Sequence, residues 1–305
     1  MLIFPNRPAM SHETGLIPHE RSPDGIVTLS LPPSPTKPRG GVVVLDSWLI
    51  GAIDRTLQEL AGSRPAGVIL ASASPRVWVA GADLAEIDGL DDASLDSYLK
   101  AGETCFRRLL ELRCPTVALI HGAVLGGGLE LALHCDALAF VRTPAGGKPY
   151  LVGLPEASLG ICPGWGGTVM LPARIDPALA LERTASGTPW KSDALPAGLA
   201  DLEADDAESL RRAAREWILA RQGAAPPRPR AIGPASKATI ERAIAASSLA
   251  GAAAGTSAHA VLAAVRAGLA GGLAAGVAEE RRHLIALRTV EPARTKIAAF
   301  LARSS

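Results

Sequence analysis

The amino-acid sequence predicts an α/β fold, and three observations carry that reading. β-rich apolar runs recur at residues 26–31, 67–72, 116–120 and 137–141. Helical patterns separate them. Two of the runs lead toward glycine-bearing turns, Val79-Ala80-Gly81-Ala82-Asp83-Leu84 and Leu125-Gly126-Gly127-Gly128-Leu129-Glu130. A strand, turn and helix repeated in this way make an α/β domain, with strand order left open. At 305 residues the chain can bury a substantial core.

Residues 1–24 hold Pro, His, Asn and scattered charge without periodicity, which predicts an irregular N-terminal arm. The run Ile26-Val27-Thr28-Leu29-Ser30-Leu31 is a strand, and the prolines and glycines of 32–41 forbid regular structure after it. A helix follows over about 46–60, then the strand 67–72. Asp83 stands where an N-cap carboxylate accepts from the next turn's amides. An amphipathic helix over about 93–112 precedes the buried strand 116–120, the triple-glycine turn, a helix to Cys135 and the strand 137–141. Beyond Asp201 the chain turns helical and rich in Ala, Arg and Glu, interrupted by a stiff basic linker at 223–230. This gives an arm at 1–24, a core at 25–201 and a helical region at 202–305.

Charge is nearly balanced, 31 basic residues against 30 acidic, so no global field favours nucleic acid or an anionic membrane. The four cysteines, Cys105, Cys114, Cys135 and Cys162, are unevenly spaced, which argues against a disulfide framework or a zinc site. The first residues lack a signal-peptide pattern, and a cytoplasmic protein is expected. The Ala- and Gly-rich stretch 251–277 carries His259 and a central Arg266, costly in hydrocarbon, so it reads as packed helix and not as a membrane span.

Small residues at a strand-to-helix turn let a ligand oxygen approach backbone N–H groups, and two such turns suit a developing oxyanion. The segment Gly153-Leu154-Pro155-Glu156-Ala157-Ser158-Leu159-Gly160-Ile161-Cys162-Pro163-Gly164-Trp165-Gly166-Gly167-Thr168 adds a second carboxylate to that of Glu130. A glutamate is ordinarily a solvated surface charge, but Leu129, Leu131, Ala132 and Leu133 make the helix around Glu130 apolar nearly all round. The helix N-terminus there favours an ionised Glu130, suited to activating water, with Glu156 as the proton donor.

In all three motifs, their order and their spacing, the chain resembles the crotonase superfamily, the enoyl-CoA hydratases and isomerases. The resemblance implies a spiral of ββα units followed by C-terminal helices. It maps the oxyanion-hole amides to Ala82 and Gly127 and the catalytic carboxylates to Glu130 and Glu156. Ala80, Gly81, Asp83, Leu84, Gly126, Gly164 and Trp165 are the expected substrate-binding residues, Gly164 helping to hold the water and Trp165 walling the acyl site. The implied activity is hydration of a trans-2-enoyl-CoA, with coenzyme A as part of the substrate and no separate cofactor. The resemblance also implies a homo-oligomer, trimer or hexamer. The tail from Ala264 onward looks like the end of the hydratase portion of multifunctional fatty-acid oxidation proteins, which suggests a dehydrogenase on a separate subunit.

The alternatives are a Δ3,Δ2-enoyl-CoA isomerase, another crotonase activity such as acyl-CoA hydrolysis, and a noncatalytic acyl-CoA-binding subunit. No G-x-G-x-x-G follows a strand, so NAD binding is not expected, and no G-x-S-x-G elbow supports a serine nucleophile. Glu130 and His134 lie four apart without further ligands, so no metal is expected and His134 reads as a packed or hydrogen-bonded residue. Lys37, Arg39 and Lys296 are candidate contacts for coenzyme A phosphates.

Overall fold

A computed structural model describes residues 15–35, 41–143, 147–224, 231–232 and 236–304. Its strands are β1 (His19–Arg21), β2 (Ile26–Leu31), β3 (Gly67–Ser72), β4 (Val77–Val79), β5 (Thr116–Ile120), β6 (Ala123–Leu125), β7 (Ala137–Val141), β8 (Leu151–Gly153), β9 (Trp190–Lys191) and β10 (Leu202–Ala204). Its helices are α1 (Ser47–Ser63), α2 (Leu84–Gly89), α3 (Asp92–Glu111), α4 (Gly127–Leu133), α5 (Gly167–Arg174), α6 (Pro177–Ser186), α7 (Ala207–Leu219), α8 (Lys237–Ala246), α9 (Ser257–Arg288) and α10 (Ala293–Ser304).

The strands form two sheets, one ordered β1-β2-β3-β5-β7-β10 and one ordered β4-β6-β8-β9. From β2 to β10 the larger sheet is parallel, and β1 closes one edge antiparallel. Each long strand hands over to a short one in the second sheet: β3 to β4 before α2, β5 to β6 before α4, β7 to β8 before a 3-10 turn at Glu156–Leu159. This is the crotonase-like α/β architecture of ββα units with a helical C-terminal region.

Alternation along the strands divides the larger sheet between two cores. Val27, Leu29, Leu31, Val68, Leu70, Ala118 and Ile120 face the main one. Ile26, Ile69, Val117 and Leu119 face the other, covered by Leu210, Ala214 and Ile218 of α7. Parallel strands buried on both faces read as unbroken apolar runs, which is why these were visible in the sequence.

The short strands were not visible there. The triple-glycine turn does not follow β5 directly, because β6 intervenes, and β4 likewise stands between β3 and the first motif. Three residues are too few to show a period. The predicted irregular arm also contains β1, whose polar His19, Glu20 and Arg21 pair with Leu29, Thr28 and Val27. Backbone hydrogen bonds hold that strand, not an apolar pattern. The Ile17 amide donates to Thr56 Oγ1 at 3.0 Å and fixes the arm against α1. Residues 36–40 and 225–230, which include Lys37, Arg39 and most of the basic linker, lie outside the described residues.

The α9 segment is long and apolar enough to cross a membrane by length and composition, but it doubles back. Gly272 has φ 77° and ψ −169°, a conformation essentially confined to glycine. The rings of His259 and His283 stand 5.6 Å apart, whereas a straight helix would separate them by about 36 Å. Each limb has about 15 residues, short of the roughly 20 that span hydrocarbon. The hairpin packs on α3, α5 and α6, and Leu284 and Leu287 join Ala293 and Ile297 of α10 in the main core.

Candidate active site

One cavity collects the motif residues. Ala80, Gly81, Ala82, Leu84, Gly126, Gly127, Glu130, Glu156, Gly164 and Trp165 all line it. Asp83 does not: it caps α2, its Oδ1 accepting from Ala85 N at 3.0 Å and Glu86 N at 3.2 Å. Ile87, Leu99, Ile161 and Leu284 complete an apolar lining.

The backbone at the first turn is held by Leu45. Its N–H donates to the Gly81 carbonyl at 2.8 Å, and its carbonyl accepts from Asp83 N at 3.1 Å. In such a parallel bridge the middle residue's own amide points to the opposite edge, so the Ala82 N–H is left out. Gly127 opens α4, where first-turn N–H groups have no intrahelical acceptor. The two turns approach because residue 81 is glycine: φ is 109°, and a Cβ there would sit 3.0 Å from the Leu125 carbonyl oxygen.

Glu130 is buried on α4, and its Oε1 accepts both Trp165 N at 2.7 Å and Gly167 N at 2.8 Å. Its Oε2 is left for the cavity. Glu156 begins the 3-10 turn; the residue is half-buried, but its Oε2 is enclosed without a hydrogen-bond partner. Gly126, at φ 53°, makes room for it, since a Cβ there would lie 2.6 Å from Glu156 Oε1. A third carboxylate, Glu280 of α9, is fully buried behind them, Oε2 accepting from Gly166 N at 2.6 Å and Oε1 from Thr168 N at 2.9 Å. The Thr168 hydroxyl also donates to it.

Burial raises the pKa of all three. Desolvation pushes Glu130 well up, and the charges of Glu280 and Glu156 add to it. Burial takes Glu156 to about 8 and Glu280 to about 7. The helix N-terminus and the Trp165 and Gly167 amides on Oε1 oppose that rise at Glu130. The site therefore retains protons at neutral pH that solvated glutamates would lose.

Trp165 walls the cavity, its ring 5.5 Å from that of Tyr98 and 5.2 Å from that of Phe106, with Nε1 donating to the Leu99 carbonyl at 2.9 Å. His134 is packed, as expected, Nδ1 lying 2.8 Å from the Glu130 carbonyl and the ring against Phe106. Lys296 is exposed on α10. Sequence reasoning missed Glu280, because it stands in the charged run Glu279-Glu280-Arg281-Arg282, which reads as a solvated face.

Residues 45–252 match the family model described as enoyl-CoA hydratase/isomerase. The chain belongs to that family. It is 40% identical over 135 residues to the fatty acid oxidation complex subunit alpha of Idiomarina loihiensis, covering 44% of this chain and 18% of that protein. Against the subunit of the same name from Shewanella amazonensis it is 36% identical over 184 residues, 59% of this chain and 25% of that protein. The chain thus spans a quarter or less of the length of these curated relatives. The crystal structure of human mitochondrial delta3-delta2-enoyl-CoA isomerase shares the fold, with a TM-score of 0.67 at 21% identity over 94% of this chain and 97% of that one. Membership supports an enzyme of the crotonase superfamily.

Proposed function

We propose that the protein is an enoyl-CoA hydratase, converting a trans-2-enoyl-CoA to a 3-hydroxyacyl-CoA. The observation that carries this reading is that two glutamates of different hydrogen-bonding state enter one apolar cavity beside two unspent backbone amides. The amides of Ala82 and Gly127 donate to the thioester oxygen as it becomes an enolate. Loss of one such donor costs about 2.7–4 kcal/mol in comparable sites.

Among coupled carboxylates the hydrogen bonds decide where charge rests. Glu130, with two N–H donors on Oε1, carries the charge and takes a proton from water through Oε2. The hydroxide equivalent bonds to C3, and the enolate's electron pair at C2 takes the proton of Glu156. Glu130 then holds one proton and Glu156 has lost one, so relay through solvent restores the starting state. This chemistry requires no cofactor beyond the substrate's own coenzyme A. A partner dehydrogenase subunit would consume the 3-hydroxyacyl product.

The test is loss of the conjugated thioester absorbance of crotonyl-CoA and of a longer trans-2-enoyl-CoA. Wild type should hydrate at least one, and Glu130→Gln and Glu156→Gln should each lower kcat by about 10²–10⁴. A folded wild type that binds acyl-CoA without hydrating it would overturn the reading. Conversion of a 3-enoyl-CoA to the conjugated isomer in its place would establish the isomerase.

A further inference from the structure

Four consecutive amides alternate between two buried carboxylates. Trp165 N and Gly167 N donate to Glu130, while Gly166 N and Thr168 N donate to Glu280. We propose that Glu280 is a positioning residue for Glu130: from α9 it holds the 165–168 loop in the one arrangement in which the intervening amides meet Glu130 Oε1. Glu280 does not itself line the cavity and acts through the loop.

A local cap could not do this. The N-cap of α5 is Gly166 at φ 103°, a conformation that excludes the Ser, Thr or Asp side chain normally found there. The anion is supplied from the second limb of the hairpin instead. Burying a carboxylate with no paired cation is costly, and among the described residues no cation pairs with Glu280. Arg281, beside it, is engaged by Asp96 and Glu103. The groups facing Glu280 are Glu130 on α4, Glu156 on the 3-10 turn, Cys162 in the loop and Glu103 on α3. Three donors on Glu280 compensate that burial, and its charge bears directly on the basicity of Glu130.

The proposal rests on the hydratase reading for its kinetic readout. Glu280→Gln offers one oxygen where two are used, so one loop amide meets an NH₂ group. A shift of the loop should lower kcat by about ten- to a hundredfold and leave KM within threefold. Thr168→Val, which removes only the hydroxyl donor and keeps the Glu280 carboxylate, should lower kcat likewise and move the pH-rate limb set by Glu130 upward as the loop amides slip from Oε1, and Thr168→Ser should restore both. A turnover-independent readout is the carboxyl titration of Glu130 in ¹³C-glutamate-labelled protein, which should shift upward in Thr168→Val and return in Thr168→Ser.

Folded variants with unchanged kcat, pH profile and Glu130 titration would overturn the proposal and leave Glu280 a helix cap. If Glu280→Gln does not fold, the two Thr168 variants decide. If wild type does not hydrate but the Glu130 titration moves, the hydratase reading fails and the positioning role stands.

Discussion

Glu156 and Asp83 are both acidic residues at the mouth of a short helical turn, and the fold uses them in opposite ways. Asp83 spends Oδ1 on two amides; Glu156 keeps Oε2 enclosed and unpartnered. Asp83→Ala should therefore cost about 0.5–2 kcal/mol of stability in urea denaturation, the usual loss for a cap. Glu156→Gln should do the reverse at alkaline pH. Its folded-state pKa is raised to about 8 from the ordinary 4.5, so between those values the folded state binds more protons than the unfolded one. Stability then falls as pH rises through that window. Glu156→Gln should flatten the fall by up to about 1.4 kcal/mol per pH unit, read from denaturant midpoints across the window. The motif residues around these two were legible because glycine and glutamate at fixed spacing restrict what a turn can do. Their protonation was not, since it depends on burial by residues far away in sequence.

At the scale of elements, long strands and amphipathic helices announced themselves. The predicted helices at 46–60 and 93–112 are α1 and α3, with Asp46 and Asp91 as their caps. The second sheet did not, because β4, β6 and β8 have three residues each and are defined by partners instead of by period. The hairpin within α9 was equally hidden, for Gly271 and Gly272 in an Ala-rich run look like ordinary helix composition. Gly272→Ala tests it. A side chain at φ 77° and ψ −169° is strained even in open space, and the expected loss is about 1–3 kcal/mol in thermal or urea unfolding. A continuous helix would gain stability from that change.

Across the whole molecule, the C-terminal region and the sheet share one interior. Arg174 of α5 and Asp201, just ahead of β10, form a buried ion pair, and Asp201 also accepts from the Leu138 amide at 2.8 Å. Asp201→Ala would remove the anion paired with that buried arginine, at a cost of about 3–5 kcal/mol, measurable as a lowered denaturant midpoint. The chain also completes its own cavity: Leu284 lines it from α9, and α10 packs on the turn that carries Glu156. Specific activity should consequently stay constant on dilution, even where light scattering shows an oligomer dissociating. A steep loss with dilution would mean that a neighbouring copy finishes the site.

The α/β class, the two glycine turns and the pair of glutamates are legible in the residues alone, because they depend on spacing within a few positions. Tertiary structure alone decided that the turns share a cavity and that Asp83 lies outside it. It also decided that α9 folds back to bring Glu280 behind Glu130. Those facts rest on contacts between residues distant in the chain, Gly81 with Leu125 and Glu280 with Gly166 and Thr168 among them, and no local pattern encodes such separations.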